Sequence, residues 1–253
     1  MEGARGFGAS MAWVDGELAV AGDGELSWRG ERWPMEGVIS VWAGPSGPQL
    51  ARPDGVFDVR LEQQLYSGPV VAAHGDAAGF VVASQAELIQ GERSTPISGV
   101  RRIWVEGEKV LLLRCSESRC WAELEGEELG GAERASALGF HDGEPVWGVP
   151  AMEEGEEAQG AIWDRQGVRL EGLVGEHLGQ ALCQDFGAGE HNLKTLPNQS
   201  RVRSLGGGLE VAIASGREAA PMTLACNEDH LAIGQPTWAE GGRVWVLERP
   251  LGH

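Results

Sequence analysis

A strand–turn–strand unit recurs along this chain and constrains its fold more than any other feature. Trp13-Val14-Asp15-Gly16-Glu17 is matched by Trp104-Val105-Glu106-Gly107-Glu108. Each unit is a short apolar stretch, an acidic–glycine turn and a second β-rich run. That is a hairpin signal, with glycine supplying the positive φ that a tight turn demands. Related units lie at 69–83, with a turn at Gly75-Asp76, and at 137–149, with a turn at Asp142-Gly143. Two more lie at 178–190 and 222–234, carrying Asp185 and Asp229. The turns recur about every 43 residues, the length that a propeller blade of four short strands requires.

A third strand is legible in several units. The segments 37–42 (GVISVW), 160–163 (GAIW) and 241–247 (GGRVWVL) each begin with glycine and reach an indole at Trp42, Trp163 or Trp245. Such tryptophans read as packing between neighbouring sheets, with a tryptophan-lined ligand groove as the alternative. No long stretch shows a 3.6-residue period. Residues 122–136 read as an acidic surface loop, and the run EEGEE at 153–157 as a solvated loop. The expectation is an all-β chain: a single β-propeller domain over 1–253, of about six four-stranded blades, alternatively seven. A unit of this kind cannot bury its apolar face alone, so each blade must cover the next. The last unit shows three strands, its fourth coming from the N-terminal segment unless the propeller is open.

Composition narrows the partners. The 253 residues include 39 glycines and 12 prolines, so turn-formers are well above their usual share of about 12%. The net charge is −18. A surface of that sign repels phosphate backbones and anionic lipid, which excludes nucleic acid as a partner. No window reaches 18 consecutive apolar residues, so no membrane-spanning helix is expected. The opening MEGARGFGAS has no charged segment followed by an apolar one, so no export signal is visible there.

Catalytic chemistry finds little support. Glycosidase carboxylates must be held about 5–9.5 Å apart in a cleft, and none of the 38 acidic residues is singled out as such a pair. No HExxH, GxSxG, phosphate-binding loop or dinucleotide fingerprint occurs. His74, His141, His191 and His230 lie at or beside turns, where a histidine is ordinarily solvent-exposed; convergence of several on one metal is the alternative. The catalytic, cofactor and metal assignments are therefore none.

The four cysteines have a structural reading. Cys115 and Cys120 bracket a hairpin tip, CSESRC, where a disulfide would pin the turn. Cys183 and Cys226 occupy matching places in two successive units, in QALCQD and TLACNED. A bridge between them would contribute roughly 3–4 kcal/mol in the chain-entropy model. Free buried thiols are the alternative. An even cysteine count suits an oxidising compartment.

The units resemble the FG-GAP repeat, the blade of integrin α-subunit propellers and of many bacterial surface proteins. The first unit supplies Phe7, Gly8 and Ser10, the turn Asp15-Gly16, then LAVAG at 18–22 and GVISVW at 37–42. The last keeps Asp229, LAIGQP at 231–236 and GRVWVL at 242–247. The fifth keeps Gly179 and Ala181, and the middle units little beyond strand–turn–strand. Many blades of that family carry a calcium loop of alternating carboxylates. The nearest approach here is DFGAGEHN, with Asp185, Glu190 and Asn192 as calcium ligands, although the stretch reads as an ordinary polar turn. The resemblance implies a non-enzymatic binding module presenting loops to a protein or glycan partner. It also implies an exported setting, periplasmic or at the cell surface. The rivals are a structural subunit of an envelope assembly and a carbohydrate-acting enzyme on a propeller scaffold.

Overall fold

Two-residue turns set the local architecture. Asp15-Gly16, Arg29-Gly30, Glu125-Gly126 and Asp142-Gly143 each take positive φ at both positions, 50° and 77° in the first. This is the type I′ geometry, whose twist matches that of the strands it joins. The computed structural model describes residues 8–22, 24–130, 134–151, 159–174, 176–191, 199–214, 222–236 and 242–249.

The strands form seven antiparallel meanders in chain order. The first sheet is β1 (Ser10–Val14), β2 (Glu17–Gly22), β3 (Gly24–Trp28) and β4 (Glu31–Met35). The second is β5 (Ser40–Ala43), β6 (Pro48–Arg52), β7 (Gly55–Asp58) and β8 (Gln63–Ser67). The third is β9 (Ala72–Asp76), β10 (Gly79–Ala83), β11 (Glu87–Gln90) and β12 (Arg93–Pro96). The fourth is β13 (Val100–Glu106), β14 (Lys109–Cys115), β15 (Cys120–Leu124) and β16 (Glu127–Glu128). The fifth is β17 (Ala137–His141), β18 (Glu144–Val149), β19 (Ala161–Asp164) and β20 (Gly167–Glu171). The sixth is β21 (Ala181–Cys183), β22 (Phe186–His191), β23 (Gln199–Ser204) and β24 (Glu210–Ala214). The seventh has three strands among the described residues: β25 (Thr223–Cys226), β26 (His230–Gln235) and β27 (Arg243–Glu248). The fold is all-β, a β-propeller of seven blades.

Burial follows strand position. The inner strands are dry, β6 being buried from Pro48 to Ala51 and β17 and β22 along their whole length. The fourth strands face water, β12 being exposed throughout. The chain divides into two compact units, 1–110 with 223–253, and 111–222. In the first, Val14, Ala19, Ala21, Leu26 and Trp28 of one sheet meet Val41, Leu50 and Val59 of the next. Trp42, Ala51 and Val56 in turn meet Val70, Ala73 and Val82. On the other side, Met11 and Val20 meet Ala225, Ala232 and Val244. In the second unit, Ala137, Val146 and Ile162 meet Leu178, Leu182 and Leu205. Each core is thus built from two neighbouring sheets, as a chain of individually incomplete units requires.

Seven blades replace the preferred six because the second sheet has no acidic–glycine turn. Its first hairpin turns through Gly44-Pro45-Ser46-Gly47. GVISVW, expected as a third strand of the first unit, instead leads into β5 and opens a new sheet. The early blades need only about 30 residues each, so an assumed longer period merged two of them. The stretch 122–136 is likewise not a surface loop throughout. It contributes to β15 and β16, with Ala122, Glu123 and Leu124 buried. The turn expected at Gly75-Asp76 lies two residues later, at Ala77-Ala78, because Gly75 and Asp76 still pair with Phe80 and Gly79. The run 153–157 lies outside the described residues.

Candidate functional site

The sequence WRGERW at 28–33 folds into the β3–β4 hairpin. Its register pairs Trp28 with Glu31 and Leu26 with Trp33, so the two indoles are diagonal neighbours on one face. Their ring centroids lie 6.4 Å apart at 33°. Trp28 is 5% exposed and donates its indole N–H to the Val14 carbonyl at 3.5 Å. Trp33 is half-buried against the same core. The Arg29 guanidinium lies over the Trp28 ring, 4.4 Å from its centroid, and ion-pairs with Asp15 at 3.3 Å.

A second wall faces this hairpin from the loop between β7 and β8. Asp58, almost fully buried, organises it. Its carboxylate accepts hydrogen bonds from the Ser46 hydroxyl and, at 2.9 Å, from the Leu61 amide. Arg60 donates to the Ser46 carbonyl at 3.1 Å. Gly47 lets the two walls approach, since a Cβ there would stand 3.4 Å from the Trp28 ring and 3.3 Å from the Arg60 Cβ. Between the walls lies a cleft of about 300 Å³ lined by Trp28, Arg29, Glu31, Trp33, Val59, Arg60 and Glu62. Its two arginines balance its two glutamates, on a chain whose net charge is −18. The cleft offers indole surface with donors and acceptors beside it, one wall being the β3–β4 hairpin and the other the loop held by Asp58.

The other tryptophans and histidines are mostly structural. His74 is stacked on Trp104, centroids 4.6 Å apart, and lies 6.3 Å from Trp42. Its Nδ1 accepts the Val105 amide hydrogen at 3.1 Å, which puts the ring proton on Nε2. Burial pushes its pKa down from 6.5 to about 4, with Asp76 only partly opposing. Gly75 makes room for this stack, since a Cβ there would lie 2.6 Å from the Trp42 indole nitrogen. Trp13 stacks on His230 at 5.1 Å. His141 and His191 are buried rather than exposed as expected of turn histidines, since both end strands inside a sheet.

His141 takes part in the one cluster of metal-type donors found among the described residues. Its Nδ1 is 3.0 Å from Asp185, and its Nε2 is 3.4 Å from Asp142. Each ring nitrogen already faces a carboxylate, so the group has the geometry of an inter-sheet ion pair. The stretch from Asp185 does not form a ligand loop. Phe186–His191 is extended strand, so Glu190 lies about 16 Å along the backbone from Asp185. Asn192 lies outside the described residues.

Cys115 and Cys120 are opposed partners on β14 and β15 and are joined by a disulfide, Cα atoms 4.0 Å apart. Cys183 ends β21 and Cys226 ends β25; both are disulfide-bonded, and no described cysteine is free. The cleft itself was not anticipated. The usable signal was two tryptophans flanking Arg-Gly-Glu-Arg, a two-residue turn that sets both indoles on one face.

The sequence matches no family model and no curated protein. Its fold is similar to known β-propellers. A chain in the crystal structure of the Mitotic Checkpoint Complex aligns with a TM-score of 0.59 at 11% identity, over 95% of this chain and 87% of that one. An extracellular domain from B. thetaiotaomicron aligns with a TM-score of 0.59 at 11% identity, over 95% of this chain and 39% of that one. The β-propeller domain of the Trilobed protease from Pyrococcus furiosus aligns with a TM-score of 0.54 at 12% identity, over 94% and 87%.

Proposed function

We propose that this chain is a non-enzymatic binding module, a single propeller domain over 1–253 of degenerate FG-GAP-like repeats. It presents its surface to a protein or glycan partner in the periplasm, at the cell surface or outside the cell. The observation that carries this reading is the preformed cleft between the Trp28–Trp33 hairpin and the Val59–Glu62 loop. Oxidised cysteines support an exported setting, because thiols remain reduced in an ordinary cytosol. The similarity to an extracellular domain points the same way.

A carbohydrate-acting enzyme is the second reading, because Glu31 and Glu62 line one cleft together with two indoles. A glycosidase acid has to be sequestered to hold its proton near neutral pH. Both glutamates are exposed, which favours binding over hydrolysis. The test uses the full chain on immobilised envelope material, one portion digested with protease and another oxidised with periodate. Retention that one treatment abolishes, and that Arg60→Ala weakens, supports the module. Turnover in a glycosidase panel, lost in Glu62→Gln, overturns it in favour of the enzyme.

A further inference from the structure

The chemistry of the cleft selects among partners. It is lined by the half-buried Trp33 ring and by Trp28, together with the two guanidinium and two carboxylate groups of Arg29, Arg60, Glu31 and Glu62. The face of an indole is electron-rich, so it attracts the electropositive C–H face of a pyranose ring as it attracts cations. Sugar hydroxyls both donate and accept. They are satisfied by guanidinium and carboxylate groups lying side by side, with no net charge needed on the ligand. Glu31 and Glu62 have no side-chain partner among the described residues, so their oxygens are available as acceptors. The volume of about 300 Å³ suits one or two rings of a chain rather than a helix or a folded domain.

The alternatives fit less well. An anionic polysaccharide would meet two glutamates in the cleft and a net charge of −18 around it. A peptide added as a strand would have to pair with β4, the outer strand of the first sheet. Pro34 stands in that strand, where it removes a backbone donor and blunts the edge.

We propose that the cleft between the Trp28–Trp33 hairpin and the Val59–Glu62 loop binds a neutral glycan, one pyranose ring stacking on Trp33 and its hydroxyls held by Arg29, Glu31, Arg60 and Glu62. This rests on the binding role proposed above. The test is affinity electrophoresis of the full chain in native gels containing dextran, galactomannan or a β-glucan, with polygalacturonate as the anionic contrast. The expected result is retardation by at least one neutral polysaccharide and none by polygalacturonate. Trp33→Ala weakens the affinity about tenfold or more. Arg60→Ala, an exposed side chain whose loss leaves the core intact, weakens it as well and guards against misfolding of the tryptophan variant. Val168→Asp alters an apolar side chain on β20 that is 50% exposed and takes no part in the cleft, and it leaves sugar binding unchanged.

Retardation by no neutral polysaccharide, or retardation that survives both Trp33→Ala and Arg60→Ala, overturns the proposal. Preference for polygalacturonate overturns it too. If the chain instead retains envelope material, and protease digestion of that material abolishes the retention, the glycan assignment fails while the binding role stands.

Discussion

In the β3–β4 hairpin Arg29 lies over Trp28 at 4.4 Å; in the β14–β15 hairpin Arg114 and Arg119 lie over Trp121 at 5.3 and 5.1 Å. The same two residue types are used to different ends. Around Trp121 each guanidinium is engaged by a carboxylate. Arg114 meets Glu123 at 2.7 Å, and Arg119 holds Glu128 through two bonds of 2.7 and 2.9 Å. The indole N–H points to Glu123 as well, at 3.4 Å, and the Cys115–Cys120 disulfide closes the tip. Around Trp28 the accounting stays open. Arg29 has one exposed partner, Asp15, and Glu31 and Glu62 face the cleft. The polar groups around Trp121 satisfy each other, whereas Glu31 and Glu62 beside Trp28 keep their carboxylates towards the cleft where a ligand is proposed.

The largest effect should come from the floor of the open cluster. Trp28→Ala removes a side chain that is 5% exposed and should cost about 3–5 kcal/mol in urea unfolding. Trp33→Ala, half-buried, should cost about 1–2 kcal/mol and act mainly on ligand retention. If Trp33→Ala destabilises as much as Trp28→Ala, the indole assigned to the ligand belongs to the core and the contrast collapses.

Acid is the next lever, and it works on a closed cluster of another kind. His74 titrates near 4 in the folded chain and near 6.5 when unfolded. Between these values the unfolded chain binds the extra proton, so stability rises with pH across that window. It is complete above about 6.5 and falls by about 3 kcal/mol as pH drops towards 4. The difference in urea midpoint between the native chain and His74→Phe, followed from pH 7.5 to 4.5, should show this slope only in the native chain. Equal slopes would mean that the ring is open to water rather than enclosed between Trp42 and Trp104.

The two clusters were not equally legible in the sequence. Cys115 and Cys120 bracket a short polar tip, and local spacing alone places them opposite each other. First hairpins with an acidic or amide turn were visible wherever that turn occurred. The second sheet was hidden, because Gly44-Pro45-Ser46-Gly47 has none of that chemistry and the blade is short. The cleft was hidden for another reason. WRGERW supplies one wall, but Val59, Arg60 and Glu62 come from the next sheet, and their position depends on buried Asp58 and on Gly47. Periodicity reports which residues face inwards; it does not report which loop of one sheet comes to lie over which hairpin of another. A turn position likewise does not reveal the indoles on which His74 and His230 stack.

The disulfide offers a smaller test of closure. Cys115→Ser with Cys120→Ser opens a short loop, which should cost about 2 kcal/mol in the chain-entropy model. The ladder from Leu111 to Arg114, paired with Trp121 to Leu124, should persist, and so should any ligand retention by the other hairpin. Loss of retention in that double variant would tie ligand binding to the closed cluster and remove the contrast between the two hairpins.

The smallest effect on stability discriminates best between the clusters. Arg119→Ala and Arg29→Ala each remove an exposed guanidinium from a tryptophan face and from a carboxylate, so each should cost less than about 1 kcal/mol. Their unfolding curves should be nearly indistinguishable. Their consequences for a ligand should differ, because Arg119 is held by Glu128 away from the cleft while Arg29 lines it. Arg29→Ala should therefore weaken retention by neutral polysaccharide about threefold to tenfold, the scale of one lost hydrogen bond, and Arg119→Ala should leave it unchanged. Equal effects of the two variants on retention would mean that Arg–Trp stacking, rather than unsatisfied polar chemistry, is what the ligand reads.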